Sequence, residues 1–255
     1  MEMSGGSWLA RPFFQGAHVI EDILAQKGVA PDIDDETLGA AYERCPAAQR
    51  SILKNAVAFA YALAQTGAEP VTATRRFSHV EQTVTSKRLG WAFFAVDQRC
   101  FPVTAILSAV VLALVAKVET VFVHVTGPLT DPLLCGFDLL SVDQIYTTDH
   151  RVLLEGLAAA GPGVAVDLAG LDLDFPRLVR PDPANYGVAV ALPPSEHQRA
   201  YRAVTAVTTG QPRAFVAYGG EPGSAPVVMD ERFLGCWVWD VITPETFRFT
   251  TSFYA

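Results

Sequence analysis

Residues 91–125 read WAFFAVDQRCFPVTAILSAVVLALVAKVETVFVHV, and three segments separate within them. Trp91–Val96 and Glu119–Val125 are unbroken apolar, aromatic and β-branched runs, the pattern of strands covered on both faces. Between them, Phe101-Pro102 opens an apolar stretch that reaches Ala116, and proline is tolerated in the first turn of a helix. A strand, a helix and a second strand in one stretch make a βαβ unit, whose right-handed crossover sets the two strands parallel.

The alternation continues downstream. Pro132–Leu140 reads as a helix, Gln144–Tyr146 as a short strand, Arg151–Ala160 as a helix and Val164–Val166 as a strand. This series predicts an α/β fold, a Rossmann-like mostly parallel sheet with helices on both faces. Upstream, Phe77–Thr85 reads as one more strand. The first 70 residues are helical. Val19, Ile20, Ile23 and Leu24 fall at helical spacing before Gly28 and Pro31, and Asp34-Asp35-Glu36-Thr37 caps a helix through Glu43. Cys45-Pro46 then opens a longer helix with Ile52, Val57, Ala60 and Leu63 on one face, ended by Gly67 and Pro70, so an N-terminal helical hairpin is expected.

Beyond Gly170, five prolines (176, 181, 183, 193 and 194) cut the pattern into short pieces. A helix from Ser195 to Val207, a strand Arg213–Tyr218 ended by Gly219-Gly220, and strand-like alternation at Val227-Val228, Trp237–Trp239 and Phe247–Phe253 predict a β-rich C-terminal segment. The expected division is 1–70, 71–170 and 171–255.

Composition bounds the partners. With 255 residues, 50% of them hydrophobic and 18% charged, the chain has enough apolar material for one large core or two smaller ones, which excludes disorder. A net charge of −8 repels phosphate backbones and anionic lipid, so no nucleic-acid and no membrane partner is expected. The longest apolar run stops at Lys117, short of the ~20 residues of a membrane span. The first residues lack the charged-then-apolar order of a signal peptide. Cys45, Cys100, Cys135 and Cys236 are widely spaced with no C-x-x-C pair, which fits a reducing, cytoplasmic setting and signals neither disulfides nor zinc.

The chemistry-bearing residues cluster in the βα turns. There is no G-x-x-x-x-G-K-[ST], and Gly161-Pro-Gly163 follows a helix and precedes a strand, the wrong order for a phosphate loop. Five histidines (18, 79, 124, 150 and 197) make no local metal pair. His124, near the end of a parallel strand, and Asp149-His150, after the Tyr146 strand, are placed to face the crevice where open α/β sheets bind ligands. The plainer reading makes His124 a core histidine and Asp149 a helix cap. In Asp97-Gln-Arg-Cys100, Asp97 is placed to orient a histidine and Arg99 to hold an anion, while Cys100 near a helix start is either a reactive thiol or a small buried residue. Ser108, inside the apolar helix, is expected to bond back to it. The candidate catalytic set is therefore His124, His150 and Asp149. The candidate ligand-binding set is Phe93, Asp97, Arg99 and Thr126. Glu221–Pro226 is a turn-rich loop, read either as a lid or as plain surface. The aromatic tail (Trp237, Trp239, Phe247, Phe249, Phe253, Tyr254) offers an edge for homo-oligomer docking, or else is covered by its own domain.

Arg88-Leu-Gly-Trp-Ala-Phe-Phe94, Phe101-Pro-Val-Thr-Ala-Ile-Leu-Ser-Ala-Val110, Val118–Pro128, Leu139–Tyr146 and Arg151–Ala158 together resemble the first Rossmann-like domain of the histidinol dehydrogenase family, of the aldehyde-dehydrogenase-like fold. The resemblance covers residues 40–165. It implies NAD, zinc and a Glu-His catalytic pair, and the departures bear on each. Where the family has a Pro-Gly-Gly turn, this chain has Phe93-Phe-Ala-Val-Asp97, without a glycine for close approach. Where the family has Gly-Gly-Ala-Gln, this chain has Asp149-His150-Arg151-Val152. No counterpart of the zinc ligands or of the Glu-His pair is found, and the length leaves little room for the family's second, metal-bearing part. The leading expectation is a divergent relative without cofactor, a pseudoenzyme or an altered enzyme, that binds or converts a small metabolite in the retained cleft. A scaffold subunit and an NAD(P)-dependent oxidoreductase with an atypical site are the alternatives.

Overall fold

The computed structural model describes residues 17–65, 72–192, 195–204 and 214–254. Along the chain come α1 (Ala17–Gln26), α2 (Asp35–Arg44), α3 (Ala47–Ala64), β1 (Thr72–Phe77), β2 (Val80–Arg88), β3 (Trp91–Val96), α4 (Val103–Val115) and β4 (Thr120–Val125). There follow α5 (Asp131–Leu139), β5 (Gln144–Tyr146), α6 (His150–Ala160), β6 (Gly163–Leu168) and β7 (Leu178–Val179). The last elements are β8 (Gly187–Val190), α7 (Glu196–Val204), β9 (Ala214–Tyr218), β10 (Val227–Met229) and β11 (Arg248–Tyr254).

The central sheet is parallel throughout, in the order β5-β4-β3-β6-β7. Every residue of β3, β4 and β6 is buried, as their unbroken apolar runs require. Alternation splits them between two cores. Ala92, Phe94, Val96, Val121 and Val123 face a core built with α2–α5, whereas Trp91, Phe93, Ala95 and Phe122 face a smaller one with α1 and α6. Gly163 is required here, because a Cβ would come within 2.0 Å of the Trp91 indole. Helix α4 is apolar all round because it is covered all round, by the sheet, by α3 and α5, and by the indole of Trp239, whose Nε1 donates to the Ala105 carbonyl. Ser108 bonds back to that same carbonyl, as expected of a hydroxyl inside an apolar helix.

The first three helices divide between the two faces of the sheet: α1 packs on α6, while α2 packs on α5 and α3 on α4. A second parallel sheet, β10-β9-β8, carries α7 as its crossover. Tyr186, Phe215, Trp237, Trp239 and Phe101 join it to α4 through ring pairs 4.7 to 6.3 Å apart. The third sheet, β1-β2-β11, is antiparallel.

Three local expectations are corrected. Phe77–Thr85 is not one strand, since the chain reverses at Ser78-His79 with Ser78 at φ +50, and Phe77 and Val80 close a two-residue hairpin. Trp237–Trp239 is extended but unpaired, and both indoles are spent on the aromatic cluster. The aromatic tail is accordingly divided. Trp237, Trp239 and Phe247 are buried within their own chain, Phe249 is half-buried, and only Phe253 and Tyr254 are exposed. Gly67, Pro70, Pro193, Pro194, Val207 and Arg213 lie outside the described residues.

Candidate functional site

Strand order reverses about β3: the chain steps outward through β4 to β5, then returns across β3 to β6. Such a switch point opens a crevice at the carboxyl edge of a sheet. The Asp97 N–H donates to the Leu168 carbonyl, and the Cys100 thiol donates to the Ala169 carbonyl at 3.6 Å. Burial, with Asp97 nearby, pushes the Cys100 thiol up, so it is not an activated nucleophile.

Asp97 organises the first turn. Its carboxylate, 6% exposed, accepts from the Arg99 N–H at 2.8 Å and holds the Arg99 guanidinium through Nε at 3.0 Å and Nη2 at 2.7 Å. Burial opposes its ionisation, but these bonds and the guanidinium charge outweigh it and hold the carboxyl below its ordinary range. Gly127 must be glycine, since a Cβ would meet the Asp97 carboxylate at 2.4 Å. Beside this turn, Gln98 donates to the Pro128 carbonyl at 2.7 Å and accepts from the Thr130 hydroxyl at 2.8 Å.

A groove of about 460 Å3 lies over these turns. Its walls come from four places: Arg44, Pro46 and Gln49 at the α2–α3 corner, Gln98 and Arg99 after β3, Pro128–Pro132 after β4, and Ala203 of α7. Arg44 is clamped as Arg99 is, with Nε and Nη2 on the Asp131 carboxylate at 2.8 to 3.2 Å. That contact lowers the Asp131 carboxyl and raises the Arg44 guanidinium. In both arginines the carboxylate takes the Nε–Nη2 side of the fork, which leaves Nη1 outside the clamp.

The histidines lie on the other side of the sheet. His124 stacks on Phe93, 6.3 Å between ring centroids, and meets the His150 ring edge-on at 5.4 Å, all on the α1–α6 side. Its Nε2–H donates to the Thr148 carbonyl, which places the lone pair on Nδ1, a buried atom without a partner among the described residues. Burial holds this imidazole neutral, below its ordinary pKa. Asp149 caps α6 through the Arg151 N–H. The sequence-predicted set therefore falls into groups. His124, His150 and Asp149 stand together, with Phe93 beneath them and fully buried. Asp97 and Arg99 form the other turn, and Thr126 bonds to the Val96 carbonyl between the two.

Four residues escaped sequence reasoning. Arg44, Gln49 and Asp131 reach the groove only because α2 packs on α5. Asp32, in the α1–α2 loop, accepts from the Thr147 N–H at 2.6 Å, the Thr147 hydroxyl at 3.0 Å and the Thr148 N–H at 3.2 Å. The Asx-type pattern of Asp97-x-Arg99 was the one local signal available.

No protein-family model matches the chain, and no curated protein matches it. Among solved structures it is similar to a histidinol dehydrogenase from Elizabethkingia anophelis, with a TM-score of 0.53 and 7% identity over 92% of this chain and 79% of that one. The likeness covers more of the chain than residues 40–165. The residues do not fit a dinucleotide. Both turns that would cradle a pyrophosphate spend their amide groups on carboxylates, Asp97 at the first and Asp32 with Asp149 at the second, and neither turn offers a glycine for close approach. Among the described residues no group of three or more His, Cys, Asp or Glu side chains is placed to hold a metal ion. At this identity the likeness establishes one thing: the chain has the α/β fold found in histidinol dehydrogenase.

Proposed function

We propose that this chain binds a small anionic metabolite in the groove above the β3–α4 and β4–α5 turns. The observation that carries the reading is the presence of two clamped guanidiniums, Arg44 and Arg99, in one concavity at the carboxyl edge of a parallel sheet. A clamped fork is already ordered, so a ligand that bonds to Nη1 loses little further side-chain entropy. Asp97 and Asp131 also limit the charge. Two arginines against two aspartates leave the groove near neutrality, which suits one carboxylate or monophosphate and disfavours a polyphosphate. Gln49, Gln98 and Thr130 supply neutral hydrogen-bonding groups for the rest of the molecule. In this reading Arg99 is the anion holder, and the His124–His150 pair lies outside the groove.

Calorimetry with a panel of mono- and dicarboxylates and sugar monophosphates tests this. At least one class binds, and Arg99→Gln and Arg44→Gln each weaken it by about tenfold, the ~1.4 kcal/mol of a lost charge-assisted bond. No binding across the panel, or binding that neither substitution alters, overturns the proposal.

A further inference from the structure

The antiparallel sheet β1-β2-β11 reaches the larger core only where β11 begins, through half-buried Phe249. Every residue of β1 but Ala73 is exposed, as is every residue of β11 from Thr250 to Tyr254. Phe77, Val80, Phe253 and Tyr254 gather at its tip, 45% to 67% exposed. Its two edges differ. β1 carries Arg75 and Arg76, charges of the kind that keep strand edges from pairing, whereas Phe249–Tyr254 (FTTSFY) has no charge, no proline and no glycine.

The hydrogen-bond parity of β11 decides how this edge can be used. The Leu89 N–H donates to the Phe247 carbonyl, and the register sets Arg88 opposite Arg248. Residues 249, 251 and 253 therefore bond to β2, and residues 250, 252 and 254 turn their N–H and C=O groups to the edge that no strand occupies among the described residues. The Arg248 carbonyl also points that way and is taken by Arg177 Nη2 at 2.8 Å. An antiparallel strand added here bonds through 250 and 252, beyond the stretch that Arg177 occupies.

We propose that a second copy of this chain supplies that strand, with β11 pairing antiparallel to β11 across a two-fold axis at Thr251. This centre sets Phe249 opposite Phe253 of the second copy, Thr250 opposite its Ser252, and Thr251 opposite its Thr251. Aromatic meets aromatic and hydroxyl meets hydroxyl, the favourable cross-strand pairs. Moving the centre to Thr250 drives Phe253 against buried Phe247, and moving it to Ser252 sets threonines against Phe253 and Tyr254. Centred at Thr251, the two β1 edges lie ~24 Å apart across a six-stranded sheet, three Debye lengths at physiological salt, so their arginines do not oppose pairing. A single strand pair buries less than the ~800 Å2 per copy of a standard interface, so the dimer is a weak one that forms as concentration rises.

Sedimentation velocity on the full chain from ~1 to ~200 μM reads this directly, with a rising dimer fraction expected. Ser252→Pro removes only an outward-facing N–H, and Thr251→Lys sets two ammonium groups face to face. Each shifts the dissociation constant by at least about tenfold while the circular dichroism spectrum is unchanged. Thr251→Cys cross-links on oxidation, because facing residues of a non-hydrogen-bonded pair have Cα atoms ~4.5 Å apart, and Thr250→Cys does not. A monomer at every concentration, a dimer untouched by both substitutions, or equal cross-linking at 250 and 251 overturns the proposal. None of these residues lines the groove, so failure here leaves the ligand reading standing.

Discussion

The central sheet and the β1-β2-β11 sheet both draw on β-branched and aromatic residues, but only the second interleaves them with charged and hydroxyl side chains along its strands. In β3, β4 and β6 every side chain is buried, whereas in β1 and most of β11 almost none is. High β-propensity therefore says nothing about burial. What separates the two sheets is whether helices cover their faces: α4 and α5 on one side of the central sheet, α1 and α6 on the other, and, among the described residues, no α-helix laid across the antiparallel sheet. The covered sheet is stabilised by area removed from water, and the naked one by its ladder and cross-strand pairs.

The largest expected effect lies in the covered sheet. Phe94→Ala removes a fully buried ring that packs on Phe247, 5.8 Å between centroids, and costs about 3–5 kcal/mol in urea unfolding. Phe253→Ala, compared at a concentration where the chain is monomeric, changes stability by less than ~0.5 kcal/mol. Equal costs would erase the distinction between the sheets.

An ion pair from each region sharpens it. Asp167, fully buried on β6, accepts from the Ala169 and Leu171 N–H groups and from Arg180 Nε at 2.9 Å. Arg180→Ala strands that carboxylate and costs about 3 kcal/mol. Arg76 pairs with Glu81 at 2.6 Å on the antiparallel sheet, but in water, and Arg76→Ala costs less than ~1 kcal/mol.

The smallest effect is one of pH. His124 is held neutral by burial, so its folded pKa lies below the ordinary 6.5 and the unfolded chain binds the proton more readily. Stability that is full above pH 6.5 is lost as the pH falls from there toward the folded pKa. In denaturant titrations His124→Gln flattens this slope. A slope that survives in His124→Gln would show that the covered sheet is not its source.

Much of the fold was legible locally. Unbroken apolar runs marked β3, β4 and β6, all-round apolarity marked α4, and Asp34 and Asp149 marked helix starts that they do cap. The site was less legible. Asp97 and Arg99 sit two residues apart in a turn and could be seen as a pair, but Arg44 and Asp131 are 87 residues apart and meet only through helix packing. His124 and Arg99 both belong to the carboxyl edge of the sheet, yet they serve opposite sides of it.

By itself, the sequence determined the succession of strands and helices and the parallel core, because periodicity and apolar runs are properties of neighbouring residues. Tertiary structure alone decided the face of the sheet taken by each N-terminal helix, the separation of the histidines from the arginine groove, and the exposure of the β11 edge. Those depend on which distant surfaces come together to exclude water, and a local pattern records that a side chain must be buried without recording against what.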